Sequence, residues 1–488
     1  QSSQPFWHAA FSASACPVAV GVPYLHLFRR AKSMPCLCRA LVALGAVTLC
    51  RGANPHPDLG GYQPVSNVVE HSQMVFDIEA IKSATNAGDW ATAKQVYMQG
   101  RFSCKIAGNP GSGRSLQGFV SASTVSSKLQ GQAFYDSFTD GTGPSANLGS
   151  IPGSGRLSLG ATFWDDFLLA ALDGTGDFTG KSDNFRKVAI QKGVLGIVTM
   201  YTARELESAI LKLSQGGTAD ADGAPHAWDE GWAFFYGSLD DGSMSAWEFT
   251  KKRDLDFAYD SGGERVADAL EGKTLVLEYF LQGLQASRAQ TGLTELIAAR
   301  DNIYRIFALS SIRAALKYAY YIKQKTGSYD ETYHIEAYTY FLAAAGWVEQ
   351  AESGAASTVL DLLSPGKTEA QMHSNLYCEV KRALIPAYGP LGLDCDKVGT
   401  FKNMPQEVLD SCTDLPACPS GAPTVRGLAS YTAETSTAAG SNQDCLGFSL
   451  SPADTNPQDT ETDTAAWQAR MGRVALATAA ISMLMAWI

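Results

Sequence analysis

From about Phe163 to Ala356 apolar residues recur three and four positions apart, and that spacing commits the middle of the chain to helices. Alanine, leucine and aromatic residues supply the faces, most clearly in Val188 to Leu213 and in Ile303 to Tyr321. A shorter helical hairpin is expected between Val65 and Gly100. Val68, His71, Val75 and Ile78 lie on one stripe there, Gly88 breaks it, and Trp90 to Lys94 starts the next helix. Residues 108–160 are rich in Gly, Ser and Pro and are expected as long loops, and loop character returns after Leu363. The fold class is therefore mainly α, one or more helical bundles with long loops and a disulfide-rich C-terminal region.

An order of elements recurs within the helical part. Val188 to Leu213 is followed by His226-Ala227-Trp228-Asp229-Glu230 and then by Trp232 to Gly237. Ile303 to Ile322 is followed by His334-Ile335-Glu336 and then by Tyr338 to Phe341. Each long helix leads through a linker to a helix that opens with histidine and acid and continues in aromatics. This predicts an internal duplication, with related units at about 161–240 and 275–350, inside a helical domain over 53–363. A loop-rich, cysteine-containing region over 364–450 would pack on it.

The two ends carry export signals. Residues 1–52 contain no acid, but they hold Arg29, Arg30, Lys32, Arg39 and Arg51. After Met34 come a basic residue, the apolar run Ala40 to Leu49 and small residues at Gly52 and Ala53. That pattern reads as a leader with a secretory signal peptide starting at Met34, the alternative being a buried core helix. A polar spacer over 451–473 precedes an uncharged tail over 474–488. The tail suits a glycolipid-anchor signal, a retained membrane tail or a docked helix.

Four of the ten cysteines fall in the leader. The remaining six, Cys104, Cys378, Cys395, Cys412, Cys418 and Cys445, are an even number and suggest three disulfides in an oxidising compartment. Zinc is the rival reading, but no Cys-x-x-Cys pair exists. Loss of the leader removes five basic residues and no acid, so the net charge of −11 becomes −16. Such a chain repels phosphate, which argues against nucleic acid as a partner and favours attraction of cations.

Histidine and acid together on one helix face are the donors of iron sites in bundles. Pro225 marks a helix start, and His226, Asp229 and Glu230 then stand at i, i+3 and i+4. The second unit offers His334 and Glu336, with Tyr338 and Tyr340 one turn on. The hairpin adds Glu70, His71, Asp77 and Glu79. Each of these residues also has a structural reading, as a cap, a first-turn acid or a buried histidine paired to a carboxylate. Asp173 to Ser182 looks like a phosphate loop, but Thr175 stands where its first glycine belongs, so helix capping is expected there instead. No nucleophile elbow or His-Glu-x-x-His helix is present, and no catalytic motif is found, so the chain reads as a non-enzyme.

Glu70-His71-Ser72, Asp77-Ile78, Asp89-Trp90-Ala91, Tyr97 and Gly100, together with His226 to Gly237, resemble the algal iron-assimilation family, the low-iron-inducible periplasmic proteins also described as high-CO2-inducible. The resemblance covers about Val65 to Cys445. It implies a secreted or periplasmic protein of an alga or related protist, at the cell surface if anchored, that binds ferrous or ferric iron and assists its uptake. It implies iron as the bound ion and a membrane transporter or reductase as partner. It carries over His71, Asp77, His226, Asp229 and Glu230 as ligands, to which the second unit adds His334 and Glu336. Two other classes remain: a structural or adhesive surface protein without metal, and a metal-dependent extracellular redox enzyme.

Overall fold

The computed structural model describes residues 56–105, 112–139, 149–150, 157–238, 244–258, 261–268, 274–372 and 375–419. The leader, the spacer, the hydrophobic tail and Cys445 lie outside the described residues.

Helices α1 (Val69–Ser72), α2 (Met74–Ala87) and α3 (Trp90–Gln99) build the expected hairpin. Gly88 takes the left-handed conformation that ends α2, and Asp89 starts α3 by accepting from Thr92 N at 3.0 Å. Where the sequence suggests only loops, short helices follow: α4 (Leu116–Val120), α5 (Ala122–Thr124, running on as a π turn over Val125–Leu129) and α6 (Ala133–Asp136). Ser115 and Ser121 cap the first two. A two-residue antiparallel ladder joins Gly149–Ser150 to Leu157–Ser158.

The core elements come next: α7 (Phe163–Asp173), α8 (Asp183–Ser214), α9 (Ala224–Tyr236), α10 (Ala246–Phe257), α11 (Leu275–Ser287), α12 (Leu293–Tyr321) and α13 (Glu331–Leu342). The phosphate-loop look-alike resolves into the end of α7, where Gly174 is left-handed, and the start of α8, where Ser182 Oγ accepts from Phe185 N. From Val188 to Ala203 nearly every side chain of α8 is buried, so this helix lies at the centre. Each fully buried Leu or Ile contributes about 1.5–3 kcal/mol, so packing holds α8 in place. α9 runs back along α8, with Gly231 against Leu206 and Phe234 against Tyr201. α13 packs on both α12 and α8, and α11 packs on α12 and α9. The α9–α11 contact is an aromatic cluster of Trp228, Trp232, Phe235 and Phe280. It requires Gly283, because a Cβ there would lie 1.9 Å from the Trp228 ring.

The C-terminal part is less loop-rich than its composition suggests. It holds α14 (Ala345–Ala351), α15 (Ala355–Leu362), α16 (Leu376–Tyr388), α17 (Cys395–Val398) and α18 (Gln406–Asp410). Two disulfides, Cys378–Cys412 and Cys395–Cys418, interlace there. Cys104 is buried and forms no disulfide among the described residues. Arg313 of α12, fully buried, binds Asp254 at 2.6 Å and donates to the carbonyls of Glu264, Lys397 and Val398. Its partner Asp254 accepts from the backbone of Val266, Ala267 and Asp268. Both charges are thus saturated, as a buried pair must be. Among the described residues no helix is long and apolar enough to cross a membrane.

Candidate metal centre

Pro225 lies in the first turn of α9, and the helix places His226 and Glu230 one turn apart on the same face. Asp229, beside them and fully buried, holds the N-terminal segment. Its Oδ1 accepts from Tyr62 Oη at 2.7 Å, and its Oδ2 accepts from Val65 N and Ser66 N at 2.9 Å and from Ser66 Oγ at 2.7 Å. This clamp delivers α1 to α9. His71 thereby reaches Glu230, with Nε2 2.8 Å from Oε1, and His226 Nε2 lies 3.2 Å from the same oxygen. Two imidazoles and one carboxylate therefore converge, although His71 lies more than a hundred residues from the other two.

Ser66 Oγ donates to Asp229, so His226 Nδ1, 3.0 Å away, is placed to donate to that hydroxyl. Its Nε2 faces Glu230 at 3.2 Å, an arrangement that favours the protonated ring. The hydrogen bond to Glu230 accordingly raises its pKa above 6.5. His71 behaves oppositely, since burial lowers its pKa more than Glu230 raises it. Its Nδ1 is buried without a hydrogen-bond partner, while its Nε2 also meets an Arg114 guanidinium nitrogen at 2.7 Å. Burial pushes the Glu230 carboxyl up, but the hydrogen bonds and charge of His226 and His71 prevail and hold it well below 4.5. Glu205 of α8 adjoins Glu230 and binds Arg204 at 2.7 Å; burial and the neighbouring carboxylate push it up to about 7.

A cleft of about 770 Å³ opens over His71 and Glu230. Arg114, Arg204 and Glu205 line it, together with Lys105, Lys128 and the hydroxyls of the α4–α5 segment. Sequence reasoning missed Arg114, Glu205 and Arg204. The Arg204-Glu205 pair, which follows the uncharged run from Gly193 to Ala203, was a readable signal; Arg114, in a Gly/Ser stretch, had none.

The other expected ligands stand elsewhere. Asp77 accepts from Arg101 N, Phe102 N and Ser103 N at 2.8, 3.0 and 3.3 Å, and burial raises its pKa to about 6. His334 has both nitrogens occupied: Nδ1 meets Tyr329 Oη at 2.8 Å, and Nε2 meets the carbonyls of Leu363 and Ser364 at 3.0 Å. Burial lowers its pKa to about 4. Glu336 pairs with Lys192 at 3.2 Å. Glu331, three residues before His334, has the spacing of a di-iron ligand pair, but it accepts from Ser182. The structure thus brings His71, His226 and Glu230 together and leaves Asp77, Asp229, His334 and Glu336 in structural contacts.

Among the described residues no group of three or more His, Cys, Asp or Glu side chains is arranged to hold a metal ion as it stands. The three convergent side chains are hydrogen-bonded to one another instead. Their donor set nevertheless matches the two-histidine, one-carboxylate face that iron(II) accepts.

No curated protein and no solved structure matches the chain significantly. The sequence profile described as low iron-inducible periplasmic protein matches residues 37–428, most of its length.

Proposed function

The chain belongs to the low iron-inducible periplasmic protein family, and on that premise we propose that it is a non-enzymatic protein that captures iron outside the cytoplasm, with His71, His226 and Glu230 as ligands. The observation that carries this reading is the approach of both histidine Nε2 atoms to one oxygen of Glu230, at 2.8 and 3.2 Å. An entering ion would take the place of the His226–Glu230 contact and of the Arg114 guanidinium that now meets His71 Nε2. Histidine and carboxylate donors suit iron, and the open cleft beside them leaves room for further ligands.

The test is calorimetric titration of the purified, metal-free protein with ferrous iron under argon and with ferric iron. Stoichiometric binding is expected for wild type and is lost in His71→Ala and His226→Ala. Binding that is absent from wild type, or intact in both variants, would falsify the reading.

A further inference from the structure

We propose that Ser66 is a positioning residue for the iron ligand His226: its hydroxyl, oriented by Asp229, keeps a proton on Nδ1 of the ring and so presents Nε2 to the ion. This role rests on the iron-capture reading above and adds what orients one of its ligands.

An imidazole binds a metal through either nitrogen, and the hydrogen bond at the other nitrogen makes the choice. His226 Nε2 faces Glu230 at 3.2 Å, and Nδ1 lies 3.0 Å from Ser66 Oγ. A serine hydroxyl can donate to Nδ1 or accept from it, so by itself it decides nothing. Here Asp229 decides. Ser66 Oγ lies 2.7 Å from Asp229 Oδ2, an acceptor that also takes the backbone N–H groups of Val65 and Ser66 at 2.9 Å. The hydroxyl proton goes to that carboxylate, and Oγ turns a lone pair to His226. The ring therefore keeps its proton on Nδ1, and an ion that displaces the other proton finds the freed lone pair on Nε2. Without an acceptor at Nδ1, the last ring proton would settle on Nε2, where Glu230 accepts it and the ion is shut out.

Burial protects this arrangement. Ser66 is 3% exposed and Asp229 is fully buried, so water does not compete for either group. His71 makes the contrast, since its Nδ1 is buried with no hydrogen-bond partner among the described residues. Of the two imidazoles, His226 is the one oriented from behind. Ser66 also lies only five residues before His71. When Asp229 grips the Ser66 backbone, the same contact brings the second imidazole and sets the ring of the first.

Tyr62 supplies a matched control. Its hydroxyl also donates to Asp229 at 2.7 Å, but to the other oxygen, Oδ1. Ser66→Ala and Tyr62→Phe thus each remove one donor from the same carboxylate, and only the first removes the acceptor of His226 Nδ1.

The experiment titrates the full chain with ferrous iron under argon in a calorimeter. Zinc(II), a diamagnetic ion that takes the same donors, serves for NMR of isotope-labelled histidine near neutral pH. Ser66→Ala is expected to weaken ferrous binding about ten- to a hundredfold and Tyr62→Phe far less, both with the circular dichroism spectrum of wild type. Zinc-loaded wild type should show a His226 Nδ1–H signal that exchanges slowly with solvent. That signal persists in Tyr62→Phe and broadens by exchange in Ser66→Ala. Equal losses of affinity in the two variants would mean only a loosened clamp and overturn the proposal, as would wild-type affinity in Ser66→Ala. Zinc-loaded wild type with the His226 proton on Nε2 also overturns it, whatever the variants do. These results leave iron capture standing. Wild type that binds no ferrous iron removes iron capture itself, and this proposal with it.

Discussion

The helix that opens at His226 and the helix that contains His334 carry the same signature of histidine, acid and aromatics, yet their histidines do different things. At His334 both ring nitrogens are met by groups that cannot move away, a tyrosine hydroxyl and two main-chain carbonyls. Burial there keeps the ring neutral. At His226 the ring has a raised pKa and faces a carboxylate shared with a second histidine, and an open cleft lies over that carboxylate and His71. The residue pattern is the same; the difference lies in what the rest of the fold brings opposite each helix. Loop carbonyls near α15 close over His334, whereas α1 brings a second imidazole to His226.

The sharpest way to break this contrast is to remove one acid from each side. Glu230→Ala is expected to abolish stoichiometric iron binding, while Glu336→Ala lowers thermal stability and leaves the iron titration unchanged. Equal effects of the two substitutions on iron would erase the distinction.

A second test uses acid. His334 has a folded pKa near 4 against 6.5 when unfolded, so its neutral form contributes stability that is fully present above pH 6.5 and is lost as pH falls through 4. The shift corresponds to something on the order of 3 kcal/mol. Urea unfolding at a series of pH values should therefore show a shallower acid decline for His334→Gln than for wild type. Parallel curves would mean that His334 is not buried neutral.

The smallest expected effect lies on the other side. His226 has a raised pKa, chiefly through its hydrogen bond to Glu230, so below that pKa iron must displace a proton from it. Ferrous affinity should rise by up to about tenfold per pH unit below the His226 pKa and level off above it. An affinity independent of pH between 5.5 and 7.5, a range of about two units around the histidine value, would show that His226 is not a ligand.

Much of this fold could be read in the sequence. The hairpin, both long helices and the shared face of His226 and Glu230 follow from periodicity, because each is long enough to show its period. The helices between Leu116 and Asp136 escaped because single turns are too short to do so, although Ser115 and Ser121 marked two of their starts. The helix Leu376–Tyr388 was readable, with Leu376, Val380, Leu384 and Tyr388 buried at i+4 spacing, although it lies in the cysteine-containing stretch whose composition suggests loops. The pairing of His71 with Glu230 was beyond local reasoning, because it depends on Asp229 gripping Tyr62, Val65 and Ser66 across the fold. Asp229 was selected as a ligand for its spacing, and its contacts are those of an anchor.

The interlaced disulfides have a mechanical consequence. The chain continues for 69 residues beyond Pro419, and tension along that stretch meets Cys418 first. It passes through the bond to Cys395 at the start of α17, and from there to Lys397 and Val398, whose carbonyls Arg313 grips from the central helix α12. The second bond, Cys378–Cys412, ties the intervening loop to α16. A pull on the far end is therefore borne by covalent links and a buried guanidinium on α12, and the cleft over His71 and Glu230 stays out of the line of force.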